Sequence, residues 1–168
     1  MTTASDSGLR PMATLLGSAG LAPFIAFAGA TWVDPAVLGE AFAGKLLGPA
    51  QGVTGLIQHM LSVYAVAVLA FLGAIHWGLA LAGSRDGASS PSRALLWSVL
   101  PAIYGWIVVS LIDLPRAFWW LAAGFALAWV TDRISYPRHE PVPGWFVRLR
   151  TTLTIVVVAS LVAAAIAP

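Results

Sequence analysis

His76 stands in the middle of FLGAIHWGLALAG, residues 71–83, with Trp77 beside it and apolar or small residues on both sides. An imidazole in such a setting can relay a proton, ligate a metal or haem iron, or hydrogen-bond as a neutral ring to a neighbouring helix. Haem ligation by two histidines needs a second histidine at similar depth on a facing helix. His59 lies towards the other end of the same segment and His139 in a proline-rich stretch, so neither completes such a site. The groups able to meet His76 are Asp132 and Arg133, which end a later apolar segment, and Arg93, which begins another, with Trp97 and Ser98 one turn further in. His76, Trp77, Arg93, Asp132 and Arg133 form the candidate polar cluster. A latch between helices and an acid–base pair of His76 with Asp132 look the same in sequence, and the latch is the reading adopted. Asp132 and Arg133 could also simply anchor a helix end at an interface.

A second pair, Asp113 and Arg116, flanks Leu114-Pro115 and reads as a tight hairpin at the opposite end of the molecule. Its carboxylate and guanidinium are close enough in sequence to pair, and a turn explains them. Tyr64, Tyr104 and Trp106 read as packing groups. The sequence holds no Walker A, HExxH, GxSxG, GxGxxG or CxxC pattern. With no cysteine at all, disulfides, thiolate metal sites and cysteine nucleophiles are excluded. A net charge of +2 is too small to suggest nucleic acid. No metal and no cofactor are expected.

The elements that must position these groups are set by lipid. The 168 residues are 59% hydrophobic and 10% charged, where a soluble domain carries roughly 25% charge. So few charged groups cannot cover a globular surface in water. A bilayer core needs about 20 apolar residues per helix. Five stretches meet or approach that length, at 12–33, 60–83, 94–112, 114–134 and 151–167, the last extendable back through Trp145 to Leu149. The fold class expected is all-α, a single integral membrane bundle of five transmembrane helices over residues 1–168.

Basic residues set the orientation. With five spans, Arg10, Arg85, Arg93, Arg133, Arg138, Arg148 and Arg150 fall on one side and Lys45 and Arg116 on the other. Positive residues mark the cytoplasmic side, which puts the N-terminus in the cytoplasm and the C-terminus outside. Trp32, Trp119 and Trp120 then lie near the outer interface, and Trp97, Trp129 and Trp145 near the inner one. The first span is expected to be kept, not cleaved as a signal peptide, because its apolar run is long and its charged region weak. Between spans one and two, Val37, Leu38, Ala41, Phe42, Leu46 and Leu47 recur at helical spacing. An outer-surface amphipathic helix started by Asp34 and Pro35 and ended by Gly48-Pro49 is one reading, and an irregular loop is the other. Pro23 and Pro101 are expected to kink spans one and three. Gly124 with Ala128, and Ala159, Ala163 and Ala167, let helices approach closely or contact another protein.

Four segments carry a resemblance: GLAPF at Gly20 to Phe24, FLGAIHWGLAL at Phe71 to Leu81, SVLPAIYGW at Ser98 to Trp106 and GFALAWVTDR at Gly124 to Arg133. In this order the chain resembles a family of small bacterial inner-membrane proteins of unknown function, related to the mitochondrial transmembrane protein sixty-nine. The resemblance covers spans one to four, and its second segment is the most specific. It implies the fold and the membrane location and draws attention to His76 and Trp77, but brings no activity, cofactor or catalytic residue. The long first loop departs from the family's pattern.

The function expected is that of a noncatalytic multi-pass protein of the bacterial cytoplasmic (inner) membrane. Its partners are the lipid bilayer and other membrane protein subunits, as an accessory or assembly subunit of a larger respiratory or photosynthetic complex. One alternative is a small transporter or channel with His76 titrating in a path lined by the kinked spans. The other is an interfacial enzyme acting on lipid or quinone through His76 and Asp132.

Overall fold

The computed structural model describes residues 4–39, 52–83, 91–135 and 143–168. All the regular structure there is helical: α1 (Ala4–Ala19), α2 (Ala22–Ala30), α3 (Pro35–Leu38), α4 (Gly52–Gly83), α5 (Pro91–Leu111), α6 (Arg116–Ser135) and α7 (Gly144–Ala165). Three stretches are long and apolar enough to cross a membrane: Gly8–Ala30, Gly52–Gly78 and Gly144–Ala165. Leu95–Leu111 is a shorter apolar helix. In α6, Arg116, Asp132 and Arg133 dilute an otherwise apolar segment.

The first apolar stretch is two helices rather than one. Pro23 has no N–H to offer the carbonyl of Ala19, and Gly20 lowers the cost of leaving helical geometry. The break therefore falls at Gly20-Leu21, ahead of the proline, which takes a place in the first turn of α2. The Gly20 carbonyl accepts instead from the Tyr64 hydroxyl of α4 at 2.9 Å. In α5 the helix continues through Pro101 to Leu111. The glycine facing this region, Gly73 of α4, is required there: a Cβ on it would overlap the Ser98 carbonyl oxygen. Small size at Gly73 is what lets α4 and α5 lie against each other beside the proline.

Two expected boundaries change. The second helix begins at Gly52 rather than at 60 and runs for 32 residues, about 48 Å at 1.5 Å per residue. Its extra turns are held by Val53, Leu56 and Ile57, which bury themselves against Phe27, Ala30 and Leu38. The helix expected after Asp34 does start there, with the Asp34 carboxylate accepting from the Ala36 N–H at 2.9 Å and Pro35 in its first turn. It stops after Leu38, because Gly39 takes a left-handed conformation at φ +80°. The remainder of that expected helix, with Ala41, Phe42, Leu46 and Leu47, lies outside the described residues.

The core forms around α4. Its Leu61, Ala65, Leu69 and Leu72 are buried against Phe24 and Ala28 of α2, Phe118, Leu121 and Phe125 of α6, and Val157, Leu161 and Ala164 of α7. Phe24 sits at the centre, edge-on to Tyr64 at 5.1 Å and to Phe125 at 5.9 Å between ring centroids. Such edge-to-face pairs are worth about 0.5–1.5 kcal/mol beyond their burial. The outer surface is apolar as well. Leu15, Leu16, Phe71, Leu96, Trp106, Leu111, Trp119, Trp120 and Ile155 are all half-exposed or more. So much apolar surface turned outward describes a protein whose surroundings are lipid.

Candidate functional site

Three of the core helices carry a buried apolar stripe, and each stripe ends in a polar group. In α4 the stripe is Leu61, Ala65, Leu69 and Leu72, followed at the same spacing by His76. In α6 it is Leu121, Phe125 and Ala128, followed by Asp132. In α7 it is Leu161 and Val157, preceded by Thr154 and Arg150. Residues three and four apart share a helix face, so the packing that buries the leucines also brings these polar groups together.

The groups meet at one carboxylate. His76 Nε2 lies 2.9 Å from Asp132 Oδ1, and Arg150 Nε donates to Asp132 Oδ2 at 2.9 Å. Arg150 Nη1 donates to the Thr154 hydroxyl at 2.7 Å, which in turn donates to the Arg150 carbonyl at 2.9 Å. His76 and Asp132 are each 3% exposed and Arg150 is 6% exposed. Asp132 is thus the shared partner of an imidazole and a guanidinium from two other helices. Arg150 Nη2 is buried and has no hydrogen-bond partner.

Of the residues singled out from sequence, His76 and Asp132 come together. Arg133, the neighbour of Asp132, turns outward and is exposed. Trp77 is 47% exposed and, one residue on from His76, lies about 100° around the helix from it. The side chain of Arg93 lies outside the described residues. Ser98 is buried but donates within its own helix to the Leu95 carbonyl at 2.6 Å. At the far hairpin, Asp113 and Arg116 are both exposed. Among the described residues the ion pairs run only to Asp132, so the hairpin is held by backbone bonds, Ala117 N to the Asp113 carbonyl at 3.1 Å among them.

The arginine of the cluster is therefore Arg150, which sequence reasoning counted only as a positive residue at a span boundary. The signal was present. Arg148 and Arg150 are two residues apart, about 200° around a helix, so they cannot share a face. Arg150 continues the buried series through Thr154, Val157 and Leu161, and Arg148 does not.

Beside Arg150 lies a cavity of about 530 Å³ between α1–α2, α4, α6 and α7. Phe24, Tyr64, Leu72, Phe125 and Val157 form its inner wall, with Arg150 at the polar end. Leu16 and Phe71 also line it and are 64% and 66% exposed, so it opens onto the apolar outer surface. No set of three or more His, Asp or Glu side chains is gathered for a metal among the described residues.

The all-helical fold and a charged cluster closed inside an apolar exterior define a helical membrane protein. The chain belongs to a family of proteins of unknown function, DUF3429, whose model matches residues 9–166. It is also similar to transmembrane protein 69 of Xenopus tropicalis, at 32% identity over 100 residues, which are 59% of this chain and 38% of that protein. The match thus spans well under half of the relative's length. No solved structure matches the chain.

Proposed function

We propose that this protein is a noncatalytic, five-span component of the bacterial inner membrane that acts as an accessory or assembly subunit of a larger membrane complex. In this reading α1–α2, α4, α5, α6 and α7 are the five spans. The N-terminus is cytoplasmic and the C-terminus outside, as the arginine distribution favours. The observation that carries the noncatalytic part is the closure of the charged cluster. Both oxygens of Asp132 are engaged by groups from neighbouring helices, and all three partners are buried. A general base needs a lone pair within reach of a substrate proton, whereas this carboxylate binds three helices into one unit. A respiratory or photosynthetic complex is the partner class proposed, since the chain presents mainly apolar helix surface to other membrane components.

The transporter reading needs a polar path to His76, and the cavity described is bounded by apolar groups and Arg150. The test of the proposal is a tagged pull-down from native membranes in mild detergent, with mass spectrometry and an absorption spectrum. Stoichiometric recovery with a larger complex is the expected outcome, and recovery as a lone, colourless monomer overturns it.

A further inference from the structure

Gly17 of α1 lies against α7, where an added methyl would touch Leu153 and Leu149. Further along the same stretch, the Trp32 indole donates to the Ala163 carbonyl at 3.2 Å. The apolar stretches Gly8–Ala30 and Gly144–Ala165 therefore run side by side in the same direction, and their first turns lie at the same end. That end carries Arg10, two residues into the first stretch, and Arg148, four residues into the second. Both are exposed.

The line of contact has two faces. Ala13 and Gly20 lie about 40° and 60° around α1 from Gly17, and Phe146 and Val157 about 60° and 80° around α7 from Leu149. All four line the cavity described above, which marks one face of the seam. Thr14 and Ser18 lie about 60° and 100° from Gly17 in the other direction, as Thr152 and Arg148 do from Leu149. These four are exposed and share the opposite face. Arg10, two turns before Gly17, returns to within about 20° of the contact line. The result is a polar strip on a lipid-facing seam, with two arginines at its end.

The groups of the strip differ in what they still need. Thr14 donates to the Arg10 carbonyl at 2.9 Å and Thr152 to the Arg148 carbonyl at 3.2 Å, so neither hydroxyl requires a partner helix to take its proton. The two guanidiniums have no carboxylate, since among the described residues the ion pairs run only to Asp132. A guanidinium takes up phosphate through paired hydrogen bonds, and arginine at a membrane surface attracts anionic lipid. An acidic partner helix would meet the charges but would leave the exposed hydroxyls with nothing to add.

We propose that the seam between α1 and α7 binds one anionic phospholipid, its phosphate held by Arg10 and Arg148 and its glycerol region lying along Thr14 and Thr152. The site rests on these helices lying in a bilayer and is independent of the subunit role proposed above.

The test uses the full chain purified in mild detergent, with palmitoyl-oleoyl phosphatidylglycerol, the matching phosphatidylcholine and inorganic phosphate as probes, followed by native mass spectrometry. Wild type is expected to retain one phosphatidylglycerol in preference to phosphatidylcholine, and inorganic phosphate is expected not to displace it. Arg10→Gln and Arg148→Gln are each expected to weaken that binding about fivefold, and the pair about thirtyfold, with the helix signal unchanged. Arg133→Gln removes an exposed arginine of α6 and is expected to change nothing. Equal binding of the two phospholipids overturns the proposal, as does an equal loss in Arg133→Gln, which would make the effect one of surface charge in general. Displacement by inorganic phosphate overturns the lipid as occupant. No retained phospholipid also overturns it and leaves the strip to an acidic partner helix.

Discussion

Asp132 is the residue on which the interior depends, and its neighbours are not equivalent. Removing it strands a guanidinium that cannot lose its proton together with the imidazole Nε2, whereas removing His76 leaves the Asp132–Arg150 pair intact. Breaking a buried ion pair from one side costs roughly 3–5 kcal/mol. Asp132→Ala is therefore expected to destabilise by about that amount, Arg150→Met by somewhat less and His76→Ala least, in denaturant or SDS titrations followed by helix signal. Replacing all three with apolar residues of similar volume is expected to recover much of the loss, since buried ion pairs exchange for packed hydrocarbon at little net cost. If Asp132→Ala proves as mild as His76→Ala, the carboxylate does not hold the helices together. Trp77→Ala, by contrast, removes a half-exposed ring outside the cluster, and is expected to shift stability by less than about 0.5 kcal/mol in the same titration. His76 and Asp132 could be read from sequence because each is an ionisable group in apolar surroundings. Arg150 was harder to see, because an arginine at the end of an apolar stretch is also what an interface anchor looks like. Only its phase relative to Val157 and Leu161 separates the two roles.

The elements follow the same logic of contact over composition. Helix existence was legible in the apolar runs, but the breaks were set by single residues. Gly20 moved the interruption of the first stretch ahead of Pro23, and Gly39 closed α3 after one turn where the apolar spacing continued. The early start of α4 depended on Val53, Leu56 and Ile57 finding Phe27 and Leu38, a tertiary contact invisible to local pattern. Close approach of helices gives a graded prediction. At Gly73 an added methyl meets a backbone carbonyl, which cannot yield. At Gly124 it meets the Tyr104 ring at 2.6 Å, and a side chain can rotate aside. Gly73→Ala is expected to cost about 1–3 kcal/mol, in the range of overpacking, and Gly124→Ala less. Equal losses would mean that α4 and α5 can slide apart freely at Ser98.

At the scale of the whole molecule, the absence of cysteine makes the proposed orientation directly measurable. Single cysteines placed at Ser5 and at Pro168 are expected to react with a membrane-impermeant maleimide from opposite faces of sealed vesicles. Labelling of both from one face would remove the five-span arrangement. Asp132 follows His76 by 56 positions and precedes Arg150 by only 18. In the five-span arrangement proposed above, the carboxylate and the arginine that neutralises it therefore lie on successive spans, so that α6 and α7 can enter the bilayer as one hairpin with neither charge left alone in hydrocarbon, where it is costly.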